Sequence, residues 1–286
     1  MDLCNLEELK KLLGRHGFRF SKSMGQNFLI ESWVPRQTAE ASGAGSGVGV
    51  LEIGPGVGTL TVQLASLADR VVAVELDKSL LPVLSETMEG YPNVEIVPGD
   101  ALKLNLGELC REKMPDVEWV VCANLPYNIT TPVLTALLEA GCFSTVTVMI
   151  QREVALRICA SPGTSDYGAF SVFCRYHADC ELLYDVPPAC FYPVPKVTSS
   201  VIRMTIRKKP PVPIKDPKVF FRVVRAAFAQ RRKTLLNALS AAFGADFSKD
   251  ELRAVLTSCG FQENVRGEQL GILEFATLST KLSAEQ

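Results

Sequence analysis

The stretch Glu118-Trp119-Val120-Val121-Cys122-Ala123-Asn124-Leu125-Pro126-Tyr127 decides how this chain is read. Its first six residues read as a buried strand. A side-chain amide, a backbone carbonyl held extended by the proline after it, and a phenol ring follow at once. A strand that ends this way fits an open α/β sheet, where ligands bind at the carboxyl ends of the strands. The chemistry suits a flat ring bearing an amino group. The Asn124 side-chain oxygen and the Leu125 carbonyl can each accept a hydrogen bond from one NH₂ group, and Tyr127 can stack on the ring. The plain alternative is a strand closing on a proline turn beside a half-buried tyrosine, and the tetrapeptide alone does not separate the two.

Upstream, three more strand ends repeat the pattern. Val48 to Ile53 is a short apolar strand running into Gly54-Pro55-Gly56-Val57-Gly58-Thr59, where glycines allow a ligand close to the backbone. The G-x-G-x-G spacing, the enclosed proline and the acid Glu52 directly after Leu51 depart from the dinucleotide fingerprint. Arg70 to Glu75 is the next strand. Glu75 lies 21 residues after Gly54, where a carboxylate can accept both hydroxyls of a ribose; a capping or exposed acid is the alternative. Val94 to Val97 leads to Asp100, which can take an adenine amino group or simply close an Asx turn.

Downstream, Thr131 and Pro132 open a helix through Ala140, Thr145 to Ile150 is a fifth strand, and Arg152 to Ala160 is a helix. Strands alternating with helices predict a parallel, doubly wound sheet. Ser171 to Val186 reads as a long broken strand and Ser199 to Arg207 as a closing one. Two strands with no helix between them predict a final antiparallel pair, which marks methyltransferase sheets rather than dinucleotide folds. Beyond the linker Lys208 to Asp216-Pro217, Lys218 to Phe243 reads as an amphipathic helix, with further helices at Ser248 to Ser258 and Gly267 to Leu282. The expected organisation is therefore a sheet domain over residues 1–209, including an N-terminal extension, and a small all-helical domain over 210–286.

Composition narrows the function. With 286 residues and 47% hydrophobic content the chain can bury a sizeable core, so global disorder is excluded. Neither a signal peptide nor an apolar run of membrane-spanning length is expected. Nine scattered cysteines without a C-x-x-C pair point to reduced thiols in a cytoplasm. Two histidines, His16 and His177, make a histidine metal site or triad improbable. The net charge of −1 conceals an uneven distribution. Arg203 to Asn237 holds eleven basic residues against Asp216 alone, and Lys10 to Lys22 holds five more with no acid. Two basic stretches on an acidic body predict a polyanion footprint, although either one alone also fits a solvated helix face.

Taken together, these segments resemble the KsgA family of ribosomal RNA small-subunit adenine N6-dimethyltransferases. The resemblance rests on Gly25-Gln26-Asn27-Phe28-Leu29, on Glu52 to Thr61, and on Asn124 to Ile129. It continues in Phe191-Tyr192-Pro193-Val194-Pro195-Lys196-Val197-Thr198-Ser199, in Phe228 to Leu235, and in Arg266, Glu268 and Leu270. It implies a Rossmann-like class I fold with S-adenosylmethionine as methyl donor. The implied substrate is two adjacent adenosines near the 3′ end of small-subunit (16S) rRNA, met in the immature 30S particle, with a monomeric, metal-free, cytoplasmic enzyme. Carried over residue by residue, Asn27 and Leu29 would border the cofactor and Gly54 would admit its amino-acid end. Glu75 would hold the ribose and Asp100 the adenine amine, while Asn124 would lie between donor and target. Asn124 and Leu125 would accept the target's N–H groups, Tyr127 and Phe191 would stack on its two faces, and Lys22, Arg222, Arg225, Arg231, Arg232 and Lys233 would meet RNA phosphates. The rival readings are an erythromycin-resistance enzyme acting on 23S rRNA, a non-catalytic small-subunit assembly factor, and, more distantly, a DNA adenine methyltransferase.

Overall fold

The computed structural model describes residues 1–21, 24–230 and 232–284. The chain divides into two compact units, Met1–Ala155 with Cys180–Ile206, and Leu156–Asp179 with Arg207–Gln286. In chain order, α1 (Leu6–Arg15), β1 (Phe28–Leu29) and α2 (Trp33–Glu40) come first. Strands and helices then alternate: β2 (Val48–Ile53), α3 (Thr59–Ala65), β3 (Arg70–Glu75), α4 (Leu81–Thr87), β4 (Val94–Pro98), α5 (Leu106–Lys113), β5 (Glu118–Asn124), α6 (Thr130–Ala140), β6 (Thr145–Gln151) and α7 (Arg152–Cys159). Next come α8 (Ala169–His177), β7 (Ala178–Val186), β8 (Phe191–Tyr192) and β9 (Ser199–Ile206). The chain closes with α9 (Pro217–Ala229), α10 (Leu235–Phe243), α11 (Lys249–Ser258) and α12 (Ile272–Ala284).

The first unit is organised by a seven-stranded sheet in the order β4-β3-β2-β5-β6-β9-β7. The pairs β2/β3, β2/β5, β3/β4 and β5/β6 are parallel. β9 returns antiparallel to β6, with Val201 opposite Met149, and lies next to β7 at the sheet's edge. The apolar runs of β2, β3 and β5 are buried almost throughout, the pattern of strands covered on both faces. Val50, Leu60, Leu64, Val71 and Val120 fill one packed cluster. In a second, α1 lays Leu9, Leu12 and Leu13 against Leu80, Val83 and Leu84, each worth ~1.5–3 kcal/mol when fully buried. The Asn5 side chain caps α1 by accepting from the Glu7 and Glu8 amides. At the far end, His16 Nε2 lies 2.7 Å from Glu86 Oε2, and Arg15 pairs with the same carboxylate.

The second unit is helical. Phe220 of α9, Leu239 and Phe243 of α10, Leu252 of α11 and Phe275 of α12 share one core with Tyr167 and Val172. That core explains why residues 156–179, expected in the sheet domain, group with the C-terminal helices instead. Tyr167 Oη donates to the Leu270 carbonyl at 3.0 Å and the Gly163 amide to the Glu268 carbonyl at 2.8 Å. Gly267 lies so close to α9 that a Cβ there would stand 2.6 Å from the Ala227 carbonyl.

Two local expectations also change. Residues 169–177 are helical, not the first half of a strand. Their Phe, Val, Cys and Tyr content favours strands, but burying Ser171, Val172 and Cys174 on one helical face overrides propensity. The helix expected from Lys218 to Phe243 is broken, because Thr234 caps α10 by accepting from the Asn237 amide. Arg232 and Lys233 therefore sit on a connection between two helices rather than on the first of them.

Candidate active site

The carboxyl ends of β2, β3, β4 and β5 meet at one cavity, whose lining includes Gly54, Glu75, Asp100 and Asn124. Asn27, Leu29, Leu125 and Tyr127 line the same cavity. Four sequence-distant turns converge because four parallel strands end on the same sheet edge. Gly54 has φ 70° and its amide donates to the Val74 carbonyl, which ties the loop after β2 to β3. Gly56 has φ 62°, and a Cβ there would stand 3.1 Å from the Phe28 ring. Its amide donates to Glu75 Oε2 at 3.3 Å, while the Asp77 amide donates to Glu75 Oε1 at 2.7 Å. Burial raises the Glu75 pKa above the usual carboxylate value, and these amides offset part of the rise. Asp100 Oδ1 accepts from the Leu102 amide at 3.0 Å, which closes the Asx turn, and the residue also lines the cavity.

At the end of β5, Asn124 Nδ2 donates to the Asn27 carbonyl at 3.3 Å. This orients the amide and leaves Oδ1 as its acceptor. The Leu125 amide donates to the Met149 carbonyl at 3.1 Å, fixing the peptide whose carbonyl precedes Pro126. Tyr127 Oη lies 2.7 Å from Ser199 Oγ. Burial raises this phenol's pKa, partly offset by Ser199.

Residues 24–29 form one wall of the cavity. Gln26 Nε2 donates to Asp77 Oδ2 at 2.6 Å. Partial burial pushes the Asp77 carboxyl up, but hydrogen bonds from Ser79 and Gln26 outweigh it and hold the pKa below the usual value. Phe28 packs with Phe18 and Phe20 at ring separations of 5.8 and 5.4 Å, which backs the wall with an aromatic layer. Lys22 lies outside the described residues.

The charge of the lining is one-sided. It includes four carboxyls, Glu52, Glu75, Asp77 and Asp100, and no lysine, arginine or histidine among the described residues. Glu52 entered the sequence reading only as a departure from the dinucleotide fingerprint and as the start of a motif, with no chemical role of its own, although an acid inside an apolar strand was a visible signal. It is 1% exposed. Burial raises its pKa to about 8; a nearby Thr61 hydroxyl lowers it and the Glu75 charge raises it further. Even so, Glu52 Oε2 and the hydroxyl of Thr59 have no hydrogen-bond partner.

Phe191 is a correction. It is fully buried and does not line the cavity. Its β8 strand pairs with β1, bringing Phe191 opposite Leu29, and its ring packs with Val34, Met149 and Val201. The ring is a core element here and presents no face to a substrate. Among the basic residues, Arg225, Arg232 and Lys233 are exposed. Arg222 is committed within its own unit: Nη2 donates to Asp246 Oδ2 at 2.9 Å and to the Ala242 carbonyl, and its guanidinium lies 4.1 Å from the Phe243 ring centre. Arg231 is outside the described residues. Among those residues, no group of three His, Cys, Asp or Glu side chains is arranged to hold a metal ion, and no helix is long and apolar enough to cross a membrane.

Comparison with known proteins gives this geometry its context. The family model described as ribosomal RNA adenine dimethylase matches residues 17–279. The ribosomal RNA small subunit methyltransferase A of Alkaliphilus oremlandii is 44% identical over 278 residues, covering 97% of this chain and 96% of its own. A solved dimethyladenosine transferase from Plasmodium falciparum superposes with a TM-score of 0.77 at 24% identity, over 90% of this chain and 98% of its own. The 23S rRNA methyltransferase ErmE superposes with a TM-score of 0.68 at 26% identity, over 90% of this chain and all of its own. By the extent of these matches, the chain belongs to the ribosomal RNA adenine dimethylase family.

Proposed function

We propose that the chain dimethylates N6 of two adjacent adenosines near the 3′ end of small-subunit rRNA, using S-adenosylmethionine, at the cavity where β2 to β5 end. The observation that carries this reading is the presence on one cavity of the Asn124 and Leu125 acceptors, the Tyr127 ring and the Glu75 and Asp100 carboxyls.

The lining fits that methyl donor. Glycine at 54 leaves room for a ligand along the backbone, Glu75 can accept the ribose hydroxyls, and Asp100 can accept the adenine amine. Asn27 and Leu29 border the same space, and four carboxyls suit a ligand with positive charge. When bound, S-adenosylmethionine supplies an electrophilic methyl on a sulfonium. The residues must make an adenine N6 nucleophilic, although its lone pair is spread into the ring. Asn124 Oδ1 and the Leu125 carbonyl accept its two N–H bonds, which favours a pyramidal nitrogen with its lone pair free. Such a step depends on positioning and on preorganised polar groups. It requires no histidine or carboxylate base before transfer. Tyr127 stacks on the adenine once it leaves its helix, and a second methylation uses the acceptor that still faces an N–H. Arg225, Arg232 and Lys233, all exposed, bind RNA phosphates. We place the enzyme in the cytoplasm, acting as a monomer on an immature small subunit.

The test supplies labelled S-adenosylmethionine with purified small and large ribosomal subunits and maps the modified base. Label on adjacent adenosines of small-subunit rRNA is the expected result. Label on large-subunit rRNA would favour the reading suggested by the likeness to ErmE, and no label on either would leave an assembly factor.

A further inference from the structure

We propose that Glu52 reads the charge of the methyl donor: it holds a proton before the sulfonium form binds, releases that proton to solvent on binding, and regains one once only the thioether product remains. The proposal rests on the function argued above and concerns how the same site tells donor from product.

The geometry is that of a group awaiting a cation. Glu52 is 1% exposed at the end of β2, it lines the cavity, and its Oε2 has no partner. The hydroxyl of Thr59, on α3 and lining the same cavity, is also unpartnered. The titratable neighbours offer no compensation. Glu75 on β3 adds a second buried carboxyl, Cys122 on β5 is a buried thiol whose own pKa is pushed up by burial and by the Glu52 charge, and Asp77 and Asp100 face the same cavity. No lysine or arginine is ion-paired with Glu52 among the described residues. Asp77 is held as a carboxylate by Ser79 and Gln26 and Asp100 pairs with Lys103 at 3.7 Å, whereas the two buried carboxyls, Glu52 and Glu75, disfavour each other's charge, and the more buried of them, Glu52, holds the proton, with a pKa near 8. S-adenosylmethionine carries a sulfonium and an ammonium against one carboxylate. S-adenosylhomocysteine has lost the sulfonium charge. Donor binding therefore favours the Glu52 carboxylate, and product binding favours it less. The methyl leaves the sulfonium sulfur for N6, N6 gives up a proton to solvent, and Glu52 takes one back, so charge and atoms balance.

The test is calorimetric titration of the full-length protein with S-adenosylmethionine and, separately, with S-adenosylhomocysteine. Each titration is run near pH 7 in buffers of different ionisation enthalpy, which counts protons. The expected result is release approaching one proton for the donor and markedly less for the product. Donor affinity should rise about tenfold per pH unit up to roughly pH 8 and then level, while product affinity stays nearly flat. Glu52→Gln should bind the donor with no proton release and no pH slope. Thr61→Val, which removes the hydroxyl that lowers the Glu52 pKa, should keep the release and move the inflection to higher pH. Equal proton counts for donor and product, or a Glu52→Gln titration identical to the parent, overturns the proposal and leaves the function standing. Failure of the parent protein to bind either ligand overturns the function itself.

Discussion

The two units carry charge in opposite ways. In the sheet unit, four carboxyls face one cavity whose lining holds no basic side chain among the described residues; Asp100 alone pairs with a lysine, Lys103 at 3.7 Å, and two of the four, Glu52 and Glu75, are nearly solvent-free. In the helical unit, basic side chains such as Arg225, Arg232 and Lys233 stand in solvent. Burial makes a carboxyl costly to ionise, a cost that a small cationic ligand in the same cavity would offset. Exposed basic groups cost little to maintain and are screened by salt, which suits a polyanion whose sequence is not being read. Arg222 shows the boundary between the two uses: a basic residue tied to Asp246 and stacked on Phe243 serves its own unit's packing.

The contrast can be broken most forcefully at Phe191. If it belongs to the core rather than the cavity, Phe191→Ala should lower unfolding stability by about 3–5 kcal/mol, read by denaturant titration, and any loss of activity should follow that destabilisation. A variant of parental stability that has lost turnover would return Phe191 to the site. Asn124→Ala comes next. Removing one preorganised polar group should cost turnover on the order of 10²–10³-fold with donor binding largely kept, which separate kinetic and equilibrium measurements distinguish.

A smaller effect tests the buried acid without any ligand. A carboxyl whose folded-state pKa is raised stabilises the fold below its unfolded value, and that contribution is lost as pH rises through the folded one. For Glu52 the window runs from its ordinary value of 4.5 to about 8. The melting temperature of the ligand-free parent should therefore fall across that range more steeply than that of Glu52→Gln; parallel profiles would place the proton elsewhere. The smallest effect concerns the other unit. Neutralising Arg232 and Lys233 together should reduce the salt slope of RNA binding by about 1.4–1.8, at roughly 0.7–0.9 for each phosphate contact, with donor affinity unchanged. An unchanged slope would remove both from the RNA footprint.

Much of the site was legible in the chain because it lies at strand ends. Gly54, Glu75, Asp100 and Asn124 each follow a short apolar run, and parallel strands must place their carboxyl ends on one edge. Local chemistry was enough to suggest a role for each. Phe191 misled because its motif looks like that of a recognition loop, while its burial depends on a two-residue pairing with Leu29 far away in sequence. Glu52 was visible as an acid in an apolar strand, but its protonation depends on what covers it. The helix 169–177 was hidden because its residues favour a strand until Tyr167 and Val172 find the C-terminal core.

The sequence by itself determined the sheet, its parallel order with an antiparallel return, and the residues at its ligand edge, since period, punctuation and composition act over a few neighbouring positions. Only the tertiary structure decided which side chains are solvent-free, which acids share a cavity, and that Asn27 orients Asn124 across 97 positions. Those outcomes depend on contacts between distant segments, and burial and dielectric are properties of the assembled core rather than of any stretch of chain.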